Sequence, residues 1–171
     1  LDPGHPLFQS SPMRIACAQT QAELGEIAVN LDRIERLTVQ AADRKAELIL
    51  FPELMVSGYG PPENLTPLAE PIPGPVADRL AAIARDCGIA IATGIPEYDA
   101  ATDRRHNTLL LLDASGREQL RYRKVHLWDS EKAWAQPGTD FLSRALPDIV
   151  PGKRCLSCEC LRQFFDVKNH S

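Results

Sequence analysis

The stretch ELILF, residues 47–51, is short, almost wholly apolar and closed by Pro52. A run of that length without polar alternation reads as a strand covered on both faces of its sheet. Such a strand belongs inside a layered α/β fold. Pro52 then hands over to Glu53, an ionisable side chain directly at the end of a buried strand.

The flanking segments fit the same frame. Residues 14–20 (RIACAQT) read as a first strand, and residues 28–45 as a helix. Leu31, Ile34, Leu37 and Ala41 fall near helical spacing, with Arg33, Glu35 and Arg36 between them. After Glu53 comes a loop holding Gly58, Gly60, Pro61, Pro62, Pro67, Pro71 and Pro73. Long irregular loops inside compact domains often carry function. Gly74-Pro75 opens a second helix, Val76, Leu80, Ile83, Ala84 and Cys87 form its apolar stripe, and Gly88 stops it.

Residues 89–95 give a third strand and 106–113 a fourth. Ala114-Ser115-Gly116 turns tightly into a fifth, residues 117–125. There Leu120, Tyr122 and Lys124 share one face by alternation, while Arg121 and Arg123 are expected on the other, in solvent. Helix-linked strands imply parallel pairing with right-handed crossovers, and the closing hairpin makes the sheet mixed.

The 171 residues, 44% apolar and 25% charged, suit one globular domain with a real core. A net charge of −4 offers no basic footprint for nucleic acid. No apolar run approaches the roughly 20 residues of a membrane span. LDPGHPLFQSSP lacks the cationic start and apolar centre of a secretory leader, and Met13 is the expected natural start after a poorly ordered extension, residues 1–12. A cytoplasmic location with reduced thiols follows as the expectation, Cys17 and Cys87 reading as buried thiols.

Two ionisable residues stand out against this background. Partial desolvation at a strand end favours proton uptake, the property Glu53 would need as a base. Lys124 faces packed structure, where an ammonium needs a partner and can hold an oxyanion. Each also has a plainer reading, Glu53 as a solvated loop carboxylate and Lys124 as a lysine snorkelling from a sheet edge.

FPEL followed by SGY, then YRKVHLW and finally PGTDF, resembles the carbon–nitrogen hydrolase family, the nitrilase superfamily. MRIACAQT is similar to that family's first strand, and the resemblance runs from Met13 to about Phe141. It implies an α-β-β-α sandwich of mixed sheets with helices outside, and a homo-oligomer when the domain is complete. It implies hydrolysis, by water, of a non-peptide C–N bond in a small amide, N-carbamoyl compound or nitrile, with no metal or organic cofactor. By the same resemblance Glu53 is the general base and Lys124 stabilises the tetrahedral intermediate. Glu131, in EKAWAQPG, matches a substrate-positioning glutamate, or else is a loop carboxylate in a charged segment.

The tail departs from the pattern. The family's nucleophile sits in a motif like G-x-x-G-L-x-I-C-Y-D, whereas PGKRCLSCECLRQFFD stands here. Cys158 lies at about the matching distance and is the candidate nucleophile, although KRCLSCEC is too polar for a strand buried on both faces. Residues 13–141 are therefore expected to be the N-terminal portion of the hydrolase domain, and 142–171 a divergent tail. That tail is either a frameshifted or truncated continuation or the end of a short divergent member. Two other readings stay open: a non-catalytic fragment, or a zinc-binding interaction module built on Cys155, Cys158, Cys160 and His170.

Overall fold

The computed structural model describes residues 13–139. Five strands and three helices follow one another as β1 (Ile15–Cys17), α1 (Ile27–Asp43), β2 (Leu48–Leu50), α2 (Pro62–Leu65), α3 (Pro75–Cys87), β3 (Ala90–Asp99), β4 (Arg104–Leu112) and β5 (Glu118–Arg123). The strands form one mixed sheet in the order β1-β2-β3-β4-β5. The first three pair in parallel, and the last three in antiparallel.

All three residues of β2 are buried, as a strand with cover on each face must be. Ile49 joins the larger core, with Ile34 of α1, Leu80 and Ile83 of α3, and Ile91, Ile95, Leu110 and Leu112 of the sheet. Leu48 and Leu50 point the other way, into a second cluster with Ala90, Ala92, Leu109, Leu111 and Tyr122. Both long helices therefore cover the same sheet face. The described residues supply one helix layer and one sheet layer, the α-β half of an α-β-β-α arrangement.

Local chemistry sets the helix ends. Pro75 occupies the first turn of α3, where its missing N–H costs nothing. Gly88 closes the helix in the left-handed region at φ 67°, its N–H reaching the carbonyls of Ala84 and Arg85. At the start of α1, buried Asn30 ties the helix to the loop beyond Glu53, its amide donating to the carbonyls of Val56 (2.9 Å) and Glu23 (2.7 Å).

Three expectations need correction. First, β3 does not end at residue 95. It continues to Asp99, and the turn at 100–103 returns it as β4, with pairing from Ile91–Leu112 to Asp99–Arg104. The two strands form a second hairpin, so antiparallel pairing occupies more of the sheet than helix-linked strands. Second, Cys17 is exposed and Cys87 half-buried. Ala16 packs toward the helices, so its neighbours Ile15 and Cys17 face the opposite side of a three-residue edge strand with little over it. Third, Arg121 and Arg123 do not stand free in solvent. Both pair with Glu97, whose side chain is 1% exposed, because a carboxylate buried on that face requires cations.

Candidate active site

The backbone after β2 places Glu53 at the sheet's end. The Phe51 N–H still donates to the Ala92 carbonyl at 2.9 Å, one step beyond the strand, and Pro52 cannot donate further. The chain then passes flat against Gly94 of β3. A methyl group on Gly94 would lie 2.4 Å from the Leu54 nitrogen and 2.9 Å from the Glu53 Cα. Only a residue without a Cβ admits that approach. Leu54 itself takes φ 50°, a conformation unfavourable for leucine, held by complete burial beside Leu65, Trp134 and Ala135.

Lys124 directly follows β5. Its N–H donates to the Asn107 carbonyl at 2.8 Å, and its own carbonyl accepts from Gly138 at 3.0 Å. The main chain at Lys124 is thus strapped between β4 and the segment that follows Glu131. Glu131 opens a single 3-10 turn, Glu131–Ala133, and its Oε2 accepts the Trp128 N–H at 2.6 Å.

These three side chains converge. The Lys124 ammonium lies 2.8 Å from Glu53 Oε1 and 2.9 Å from Glu131 Oε2. The side chains of Lys124, Glu53 and Glu131 are 11%, 17% and 7% exposed, so Glu53 is not a solvated carboxylate and Lys124 does not snorkel into water. Burial pulls the Lys124 ammonium toward deprotonation, but hydrogen bonds and charge from Glu53 and then Glu131 outweigh it and hold the pKa above the usual lysine range.

Two further residues complete the cluster, and neither was assigned a role from the sequence. The Asn107 amide donates to Glu53 Oε1 at 2.5 Å and to Glu131 Oε1 at 2.6 Å. The Tyr59 hydroxyl donates to Glu53 Oε2. Tyr59 is largely exposed, but desolvation of its hydroxyl end, with the neighbouring charge of Glu53, pushes the phenol well above its usual range. A signal for Asn107 exists in the sequence, since a polar triplet His106-Asn107-Thr108 opens an otherwise apolar strand.

The polar groups on the opposite face of β4 are separate from this cluster. The ring of His106 is buried and donates from Nδ1 to the Gln136 carbonyl at 2.9 Å. Burial, aided by the charge of Arg123, lowers its pKa. Cys158 lies outside the described residues, as do Cys155, Cys160 and His170. Among the described residues, no three His, Cys, Asp or Glu side chains gather to hold a metal ion, and no helix is long and apolar enough to cross a membrane.

A mixed sheet under a helix layer holds a lysine between a strand-end glutamate and a loop glutamate. The family model for carbon-nitrogen hydrolases matches residues 14–152, and the chain belongs to that family. A Pseudomonas protegens protein described as a hydrolase in the pqqF 5' region is 37% identical over 130 residues, covering 75% of this chain and 45% of the relative. An (R)-stereoselective amidase from a Pseudomonas species is 32% identical over 130 residues, 75% of this chain and 46% of the relative. The crystal structure of an amidase from a Nesterenkonia species superposes with a TM-score of 0.65 at 33% identity, over 77% of this chain and 50% of that one. The chain thus spans about half the length of the relatives it matches.

Proposed function

We propose that the protein carrying this chain hydrolyses the C–N bond of a small amide or N-carbamoyl compound, or of a nitrile, through a cysteine thioester. The observation behind this reading is the convergence of Glu53 and Glu131 on the Lys124 ammonium at 2.8 and 2.9 Å, in a largely dry setting. Support also comes from a solved variant of the Nesterenkonia amidase that carries acrylamide added to its active-site cysteine.

In this reading Glu53 takes the proton of a thiol, with Cys158 the candidate, and the thiolate attacks the carbonyl carbon. Electron density moves to the carbonyl oxygen, where Lys124 stabilises it. Glu53 returns the proton to the leaving nitrogen, which departs as ammonia or an amine. Water then loses a proton to Glu53 as it attacks the thioester, and the thiol is released with that proton. Glu131 holds Lys124 and positions the substrate. Residues 13–141 form the N-terminal portion of this hydrolase domain, in a cytoplasmic homo-oligomer that uses neither nucleic acid nor membrane as a partner.

The test is a panel of small amides, ureides and nitriles, with wild type and Glu53→Gln compared in the whole protein. Turnover of one class, lost with Glu53→Gln, supports the proposal. No turnover of any class, or full turnover in the variant, overturns it.

A further inference from the structure

Asn107 touches every member of the charged cluster. Its amide donates to Glu53 and to Glu131, and its backbone carbonyl accepts from the Lys124 N–H. The residue is 2% exposed. An amide nitrogen carries two hydrogens, and both are used on the carboxylates.

The charge balance gives this bridge its meaning. Two carboxylates face one ammonium, so one negative charge lacks a counter-charge among the side chains in contact. Like charges this close repel strongly in a desolvated site. A neutral amide puts a positive hydrogen on each carboxylate without introducing a charge of its own. A second cation here would suppress the basicity the site needs. Glu53 Oε1 is also fully engaged, by Asn107 at 2.5 Å and Lys124 at 2.8 Å. Its Oε2 meets only the hydroxyl of the exposed Tyr59, among the described residues.

We propose that Asn107 is a positioning residue that holds Glu53 and Glu131 together beside Lys124 and, by occupying Glu53 Oε1, leaves Oε2 as the oxygen that exchanges protons. The proposal rests on the hydrolase reading above. The charged and titratable groups facing Asn107 are Glu53, Glu131 and Lys124, with the Tyr59 hydroxyl beyond Glu53. His106, Glu97 and Arg123 lie across the sheet, on the face of Thr108.

Asn107→Leu keeps the branched outline in a somewhat larger side chain and removes both donors, and Asn107→Ser keeps one. In the whole protein, kcat is expected to fall by about 100-fold for Leu, the loss typical of one preorganised donor, and by less for Ser. KM should change far less, and the acid limb of the pH–rate profile should move to higher pH. Thr108→Val, one residue along on the opposite face, should lower the melting temperature and leave the acid limb in place. A kcat within about twofold of wild type, or an unmoved acid limb in both Asn107 variants, overturns the proposal.

Glu53→Gln run alongside separates the two readings. If it abolishes turnover while Asn107→Leu leaves kcat within about twofold of wild type, only the role of Asn107 falls. If neither matters, the hydrolase reading falls as well. A readout without turnover is carboxyl 13C titration of glutamate-labelled chain, with the pair identified by signals missing in Glu53→Gln and Glu131→Gln. Their midpoints should rise in Asn107→Leu, and midpoints that stay put overturn the proposal.

Discussion

Two buried charge clusters sit back to back on the same pair of strands. Asn107 and Lys124 point to one face, and their chain neighbours Thr108 and Arg123 to the other. On the helix-covered face Glu97 receives Arg123 through two nitrogens at 2.6 and 3.0 Å, Thr108 at 2.7 Å and Arg121 at 3.4 Å, while Arg123 also reaches Asp99 at 3.1 Å and Arg121 reaches Glu118 at 2.7 Å nearer the solvent. Burial alone would raise the Glu97 pKa, but hydrogen bonds from Arg123 and Thr108 and the two guanidinium charges outweigh it and lower it. On the other face no carboxylate has two cations to itself: Glu53 and Glu131 share one ammonium. A carboxylate gripped by two guanidiniums and a hydroxyl is held in its ionised form and serves the fold. Two carboxylates gathered on one ammonium are the kind of arrangement that acid–base chemistry uses.

Glu53→Gln should expose that division most sharply. It removes the proposed base and leaves an isosteric amide, so turnover should fall by about 100- to 10,000-fold. Stability should hold or rise slightly, since one of two crowded carboxylates loses its charge. Amide turnover and a thermal melt, taken together, check this. A large loss of stability would mean that the site cluster is also a structural clamp.

Glu97→Leu is the counterpart. It leaves the Thr108 hydroxyl without its acceptor and takes the shared buried partner from two guanidiniums, which keep only Asp99 and Glu118 nearer the solvent. The cost should be about 3 kcal/mol, at the low end for a broken buried pair because Arg121 and Arg123 keep partial access to water. Turnover per folded molecule should change little. Because the folded pKa of Glu97 is depressed, its stabilisation is present above the unfolded carboxylate pKa and lost as pH falls through the folded one. Denaturant unfolding at neutral and acid pH should therefore show the wild-type advantage over Glu97→Leu shrinking in acid.

Gly94→Ala probes the backbone that separates the two clusters. The added Cβ would need the Leu54 nitrogen to retreat by about 1 Å to reach ordinary contact, and Glu53 moves with it. A displacement of that size can cost on the order of 100-fold in rate, with about 1–3 kcal/mol lost to overpacking. Since Gly94 lies on the site side, kcat should suffer more than stability. Equal damage to both would show that the sheet, rather than the Glu53 turn, absorbs the strain.

The two clusters were unequally legible in the sequence. Glu53 announces itself because it ends an apolar run with a charge that packing does not need, and Lys124 because it continues the packed face of a strand with an ammonium. Alternation from Leu120 through Tyr122 also gives the direction of Lys124. The same alternation puts Arg121 and Arg123 on the other face, but their partner was hidden. Glu97 lies past the expected end of β3, in a stretch (PEYDAATDR) without the Asn-Gly or Gly-Gly pair that marks a tight hairpin. Asp103 instead supplies the left-handed turn residue at φ 54°. Without that hairpin, neither the Glu97 clamp nor the placement of Asn107 opposite Pro96 can be deduced. The polar triplet His106-Asn107-Thr108 marks that part of β4 as unusual, but which of the three faces the site becomes visible only through what each touches.

Both clusters depend on the β4–β5 register, and the turn that sets it offers the mildest perturbation. Asp113 gathers the turn on its carboxylate, accepting from the Ser115 and Arg117 N–H groups, the Ser115 hydroxyl and the Gln119 amide. Burial pushes this carboxyl up, but those hydrogen bonds outweigh it and bring its pKa down from 3.8 to about 2. A folded pKa below the unfolded one means stabilisation that is complete above the unfolded value and lost as pH falls through the folded one. Asp113→Asn should therefore be less stable than wild type by about 1–2 kcal/mol at neutral pH, and the gap should close as pH falls from about 4 to about 2. Urea unfolding across that range measures it. If the turn fixes the register for both faces, the small loss should be shared: a slight drop in turnover and a slight drop in melting temperature, in contrast to the one-sided effects of Glu53→Gln and Glu97→Leu. An effect confined to one readout would mean that the ladder from Thr108–Arg123 to Leu111–Leu120 holds register without its turn.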